Sequence, residues 1–155
     1  MSKHTLDVRW QLQASDNFAA GEFSREHEWL LDNGDTLKAS SSPSIIAEPL
    51  SSTQAIDPEE AFIGALSSCH MMAFLAIAAK RKYIVTHYSD SPIGTLGKMA
   101  NGKTGISHIT LSPYVSFSKE KQPSHEQLQK LHQMAHNSCY IANSVTTKVE
   151  IKPRP

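Results

Sequence analysis

Polar and apolar residues alternate over residues 6–12, with Leu6, Val8, Trp10 and Leu12 on one face and Asp7, Arg9 and Gln11 on the other. A period of two predicts a half-buried strand. A second alternation follows Ala19-Ala20-Gly21: Phe23, Arg25, His27 and Trp29 share one face, and Ser24, Glu26 and Glu28 the other. Asn33-Gly34 marks a turn into a short third strand around Thr36 to Ala39, which completes a three-stranded meander. Residues 40–56 are rich in Ser, Pro and Ala and read as a loop or a covering arm.

At Asp57 the pattern changes. Asp57 is a good N-cap, Pro58 suits the first helical position, and Glu60 falls three residues after the cap. The helix that follows is apolar on nearly every side and ends at Lys80-Arg81-Lys82, whose charges complement its dipole. A helix with no polar face belongs at the centre of its fold.

Residues 83–99 and 103–118 read as a long hairpin around Asn101-Gly102, with Pro113 predicting an edge or a bulge in the second arm. In that arm Ile109, Leu111, Val115 and Phe117 face one way. Ser124 and Gln127 form a capping pair for a second helix running to about Tyr140. A last strand places Val145, Thr147, Val149 and Ile151 on one face. The predicted order is βββ-α-ββ-α-β, an α+β fold in one domain over 1–155. Its exposed amphipathic hairpins predict a dimer.

Composition narrows the function. Fifteen basic and fifteen acidic residues cancel, so no field favours nucleic acid or anionic lipid. The N-terminus lacks the apolar core of a signal peptide, and the unbroken apolar run of the central helix, Met71 to Ala79, is short for a bilayer. The expectation is a cytoplasmic protein in contact with neither membrane nor nucleic acid. In a reducing compartment two cysteines are packing or catalytic rather than a structural staple.

Both cysteines point inward. Leu128, Leu131, Ala135 and Cys139 share one helical stripe, and Cys69 lies within the all-apolar helix. Two inward cysteines are two small hydrophobes, a thiol redox pair or part of a metal set. His132, His136 and Cys139 lie within about 60° of one another, with Cys69-His70 available to complete a zinc site. Adjacent residues 69 and 70 diverge by about 100°, however, and histidines four apart more often lie at a helix's exposed margin. His70 itself reads as a core histidine or a catalytic helper.

A redox pair requires something to lower a thiol pKa from near 8.5. Cys69 is about three turns from its helix N-terminus, beyond the reach of the dipole. Inward-facing Arg25 is the cation the pattern offers, unless it merely stacks on an aromatic neighbour. A buried arginine needs a carboxylate, and Glu59 lies about 80° from Cys69 around the helix but about 15 Å along it. Two such helices packed antiparallel across a two-fold axis bring Glu59 of one chain to Cys69 of the other. The redox reading therefore predicts shared active sites.

Pro58-Glu59-Glu60 with Phe62, Ala65 and the Ser-Cys69 element resembles the first signature of the OsmC/Ohr superfamily of organic-hydroperoxide reductases. Ala135-His136-Asn137-Ser138-Cys139-Tyr140 and Asn143-Ser144-Val145 resemble the second. The resemblance implies an intertwined homodimer with two long central helices, Cys69 as peroxidatic and Cys139 as resolving cysteine, and Arg25 and Glu59 as the paired arginine and glutamate. It further implies an organic hydroperoxide substrate and an external dithiol such as a lipoyl group, with no bound cofactor and no metal. His70-Met71-Met72 departs from the pattern after the cysteine and bears on substrate preference. Two rivals stand beside the peroxidase: a small-molecule-binding or stress protein on the same fold, and a zinc-binding structural protein.

Overall fold

The computed structural model describes residues 2–155. The chain forms two compact units, one ending at Ala61 and one from Phe62 to Pro155.

The first unit holds the meander: β1 (Leu6–Arg9), β2 (His27–Leu31) and β3 (Thr36–Ala39), antiparallel in the order β1-β2-β3. The β2–β3 turn falls at Asn33-Gly34, where Gly34 takes φ 91° and the Asn33 side chain accepts from the Asp35 amide. Two expectations fail here. β2 starts at His27, so Phe23 and Arg25 precede the strand and share no sheet face with Trp29. β1 is exposed along its whole length, with Val8 61% accessible, rather than half-buried.

The arm after β3 folds back against it. Ser40 donates its amide to the Ile56 carbonyl and Ile56 to that of Lys38, which bridges Ala39 and Ile56 in parallel.

Helix α1 (Pro58–Lys80) begins with the predicted capping box: Asp57 accepts from the Glu60 amide at 2.7 Å and Glu60 from the Asp57 amide at 3.3 Å. Its C-terminus is a Schellman turn, in which the Tyr83 amide donates to Ala78 and the Lys82 amide to Ala79. Lys82 occupies the left-handed position with φ 62°, where a Cβ is strained and glycine is not. Lys82→Gly is expected to stabilise the protein by about 0.5–1 kcal/mol, read as a rise in thermal midpoint, because relieved strain exceeds the added chain entropy.

In the second unit the predicted long hairpin is broken on both arms, a correction to the βββ-α-ββ-α-β order. β4 (Val85–Ser89) and β5 (Ile93–Lys98) flank Pro92, while β6 (Thr104–Leu111) and β7 (Tyr114–Phe117) flank Pro113. Proline has no N–H to donate to a ladder, so neither arm continues through it. β4 pairs with β7 in one sheet; β5, β6 and β8 (Lys148–Ile151) form another, with β8 parallel to β6. Helix α2 (His125–Ser138) starts at the Ser124–Gln127 capping box and is followed by the one-turn α3 (Tyr140–Asn143). The architecture is α+β, with eight strands and three α-helices among the described residues.

The buried face of α1 is the single stripe Leu66, His70, Phe74 and Ala78, spaced by four. Leu66 packs with Ile109, Leu111 and Cys139, and Phe74 and Ala78 pack with Tyr83, Leu131 and Ala135. His70 sits between the two apolar clusters.

Candidate active site

Cys69 and Cys139 come together. Cys139 is fully buried in the cluster of Leu66, Ile109 and Leu111, and half-buried Cys69 packs against that cluster from α1. The Cys139 thiol is pushed up from 9.0 to about 11, first by burial and then by its hydrogen bond to Cys69. Both thiols are free.

The placement of Cys139 differs from the expected one. It lies not within a helix but at the junction of two, with φ −78° and ψ 112° closing α2 and opening α3. Its sulfur accepts from the Ala142 amide at 3.4 Å and so caps α3. The chain turns there because α2 has spent its apolar stripe: Asn137 and Ser138 are exposed, and Asn143 donates its side-chain amide to the Asn137 carbonyl across the break.

Arg25 and Glu59 both belong to the first unit, and no ion pair joins them among the described residues. The Arg25 guanidinium lies 3.8 Å over the Phe23 ring and donates through Nη1 to the carbonyls of Gly21 and Phe23. The stacked arrangement weighed from the sequence is therefore present. Its backbone is fixed as well: the Arg25 amide donates to Leu50, and its carbonyl meets His27 Nδ1 at 2.8 Å. The Trp29 indole donates to His27 Nε2 at 3.1 Å, so Nδ1 carries the His27 proton and donates it to Arg25. Glu59 stands in the first turn of α1, ten residues before Cys69.

Two further side chains, Asp90 and His132, tie α1 to its neighbours close to Cys69 in sequence. The Asp90 carboxylate accepts from Ser67 Oγ at 2.6 Å and from the Ser112 amide at 2.7 Å. It thereby fastens α1, two residues before Cys69, to both proline breaks of the sheets. The other is His132, which is buried rather than marginal: its Nδ1 lies 3.1 Å from His70 Nε2. His132 precedes Cys139 by seven residues, which returns to nearly the same side of a helix, so phase alone held that signal. His70 is thus a core histidine. Among the described residues no group of three or more His, Cys, Asp or Glu side chains converges as a metal site.

Two cysteines meeting from a central helix and a helix junction, on an α+β scaffold of three sheets, define a protein of the OsmC/Ohr type. Residues 51–154 match the family model described as OsmC-like protein, and the chain belongs to that family. Its fold is shared by an OsmC-like protein of unknown function from Vibrio cholerae, 45% identical over 99% of this chain and 100% of that one, with a TM-score of 0.96. The organic hydroperoxide resistance protein OhrB of Bacillus subtilis is 16% identical over 99% and 98% of the two chains, with a TM-score of 0.70. An organic hydroperoxide resistance protein OsmC from Legionella pneumophila is 14% identical over the whole of both chains, also at 0.70. At those identities the last two share the fold alone. No curated protein matches the sequence.

Proposed function

We propose that the protein is a cysteine-based peroxidase that reduces organic hydroperoxides. The observation that carries this reading is the meeting of Cys69 and Cys139, seventy residues apart in sequence, as two free thiols in one apolar cluster. The Cys69 thiolate attacks the distal peroxide oxygen, the O–O bond breaks, and the alcohol leaves once its oxygen has taken a proton. Cys69 is left as a sulfenic acid. The Cys139 sulfur then attacks the Cys69 sulfur, and the hydroxyl leaves as water with the Cys139 proton. An external dithiol, such as a lipoyl group, takes over the disulfide and restores both thiols, so no resident cofactor is needed.

The complete burial of Cys139 supports the division of labour. A thiol held near 11 keeps its proton at neutral pH and is poorly suited to attack first. It suits the second step, where its proton departs with the leaving hydroxyl.

The same reading includes a homodimer with shared sites. α1 is long and apolar enough to span a bilayer by length and composition, yet only 22% of its most apolar stretch is buried, and Met72 is 59% exposed. Antiparallel packing of two α1 helices covers that surface and carries Glu59 to the Cys69 site of the second chain. There Glu59 orients Arg25, and Arg25 favours the thiolate and the developing negative charge. A cycle closed by an external dithiol is consistent with a cytoplasmic protein.

One equivalent of cumene hydroperoxide added to reduced protein tests the cycle by mass spectrometry. The expected product is two mass units lighter, with the Cys69 and Cys139 peptides joined. Protein that stays reduced, or that advances only to sulfonic acid, would show that the cycle does not operate.

A further inference from the structure

The buried pair His70 and His132 takes no part in that cycle. Both side chains are 1–2% exposed, and the 3.1 Å contact between them is a side-chain hydrogen bond that joins the middle of α1 to α2. Their rings lie within 7° of parallel, and Phe74 stacks on His132 at 4.4 Å. Each ring also keeps a buried nitrogen with no partner, Nδ1 of His70 and Nε2 of His132. A buried donor or acceptor left unsatisfied lowers stability, so two leucines would make the more stable core. The pair is expensive for stability, and its position shows what else it does. His70 follows Cys69 by one residue on α1, and His132 precedes Cys139 by two helical turns on α2.

We propose that the His70–His132 hydrogen bond is a positioning pin that sets how α1 meets α2 and thereby governs closure of the Cys69–Cys139 disulfide. Apolar side chains alone permit two helices to slide by fractions of a turn, whereas this bond is satisfied only within about 2.7–3.2 Å and one ring orientation. Phe74 holds the His132 ring plane, and the parallel His70 ring accepts that orientation. Asp90 reinforces the pin from the other side: its bond to Ser67 fixes α1 three residues before His70, and its charge reaches the His70 ring. The inference rests on the two-thiol reading, but thiol geometry is separable from peroxide chemistry.

The test compares His132→Asn with His132→Gln. Asparagine places an amide oxygen or N–H where Nδ1 stood and so keeps a partner for His70 in either tautomer; glutamine carries its amide one methylene further and loses the bond. Closure is timed with diamide, which takes both thiol hydrogens and two electrons to become the hydrazine, and separately with cumene hydroperoxide. With diamide, His132→Asn is expected to close within about twofold of wild type and His132→Gln at least about tenfold slower, since a misplacement near 1 Å costs up to about 100-fold. The pair His70→Leu with His132→Leu is expected to melt no lower than wild type and yet close slowly, and it decides the matter if the glutamine variant does not fold. Closure at the wild-type rate in the slow variants, or equal slowing by asparagine and glutamine, overturns the pin. Wild-type protein that closes with diamide but not with hydroperoxide instead overturns the peroxidase reading and leaves the pin to be judged on the diamide rates.

Discussion

A Cys139→Ser protein is expected to consume one hydroperoxide per chain and then stop, with Cys69 held as a sulfenic acid that dimedone captures. A Cys69→Ser protein is expected to consume none. Steady-state turnover with a dithiol reductant therefore falls to background in both, while the single-turnover burst of alcohol survives only in the first. The two outcomes separate the roles of the cysteines, which a loss of activity alone would not. Dimedone labelling of Cys139 in the Cys69→Ser protein after peroxide would reverse the assignment.

Serine is the informative replacement because of where Cys139 sits. Its sulfur caps α3 through the Ala142 amide, and a serine hydroxyl makes that bond at least as well. Alanine would leave the cap unmade, at a cost of about 0.5–2 kcal/mol, and would mix loss of chemistry with loss of structure. Serine also lacks a thiol's ability to attack sulfur. The variant thus removes the resolving step and little else.

The features most legible in the sequence are those fixed by short-range chemistry. Asp57 with Glu60 and Ser124 with Gln127 start their helices as their spacing predicts, since a cap needs only neighbours within one turn. The turns at Gly34 and Gly102 take the positive φ that glycine allows. The inward direction of Cys139 follows from helical phase. Features that depend on residues distant in sequence were less visible. Pro92 and Pro113 each interrupt a strand, but that β4 then pairs with β7, and that β8 joins β6 in parallel, depends on which faces the two apolar clusters of α1 leave to be covered. Strand parity places Arg25 on a sheet face, whereas β2 begins only at His27; the stacking on Phe23 is one of the two arrangements weighed for it. His132 was assigned to a solvent-facing margin from the usual habit of histidine, when its phase already matched Cys139. A polar residue follows the apolar stripe inward when a partner waits there, and His70 is that partner.

The same histidine pair makes stability depend on pH in a defined window. Burial lowers both rings from 6.5 to about 4; at His70 the neighbouring His136 adds to the effect and Asp90 opposes it, and at His132 the neighbour is His70 itself. The unfolded chain takes up protons at these histidines as pH falls below 6.5, whereas the folded chain resists until about 4. Stability is therefore fully present above 6.5 and is lost between 6.5 and 4, at up to about 1.4 kcal/mol per pH unit for each ring. The loss comes to about 3 kcal/mol per histidine, out of the roughly 5–15 kcal/mol that a domain holds. Glu150, lowered from 4.5 to about 2 by its bonds to Lys152 and Lys148, contributes in the same direction only below pH 4.5. The interval from 6.5 to 4.5 is thus the diagnostic one. Guanidinium midpoints measured across it are expected to fall steeply in the wild-type protein and much less in the His70→Leu, His132→Leu pair. Equal slopes in the two proteins would mean that these rings are already solvated or charged in the native state. Their hydrogen bond would then lack the one condition that makes it a rigid contact: two neutral imidazoles, one donating and one accepting, closed off from water.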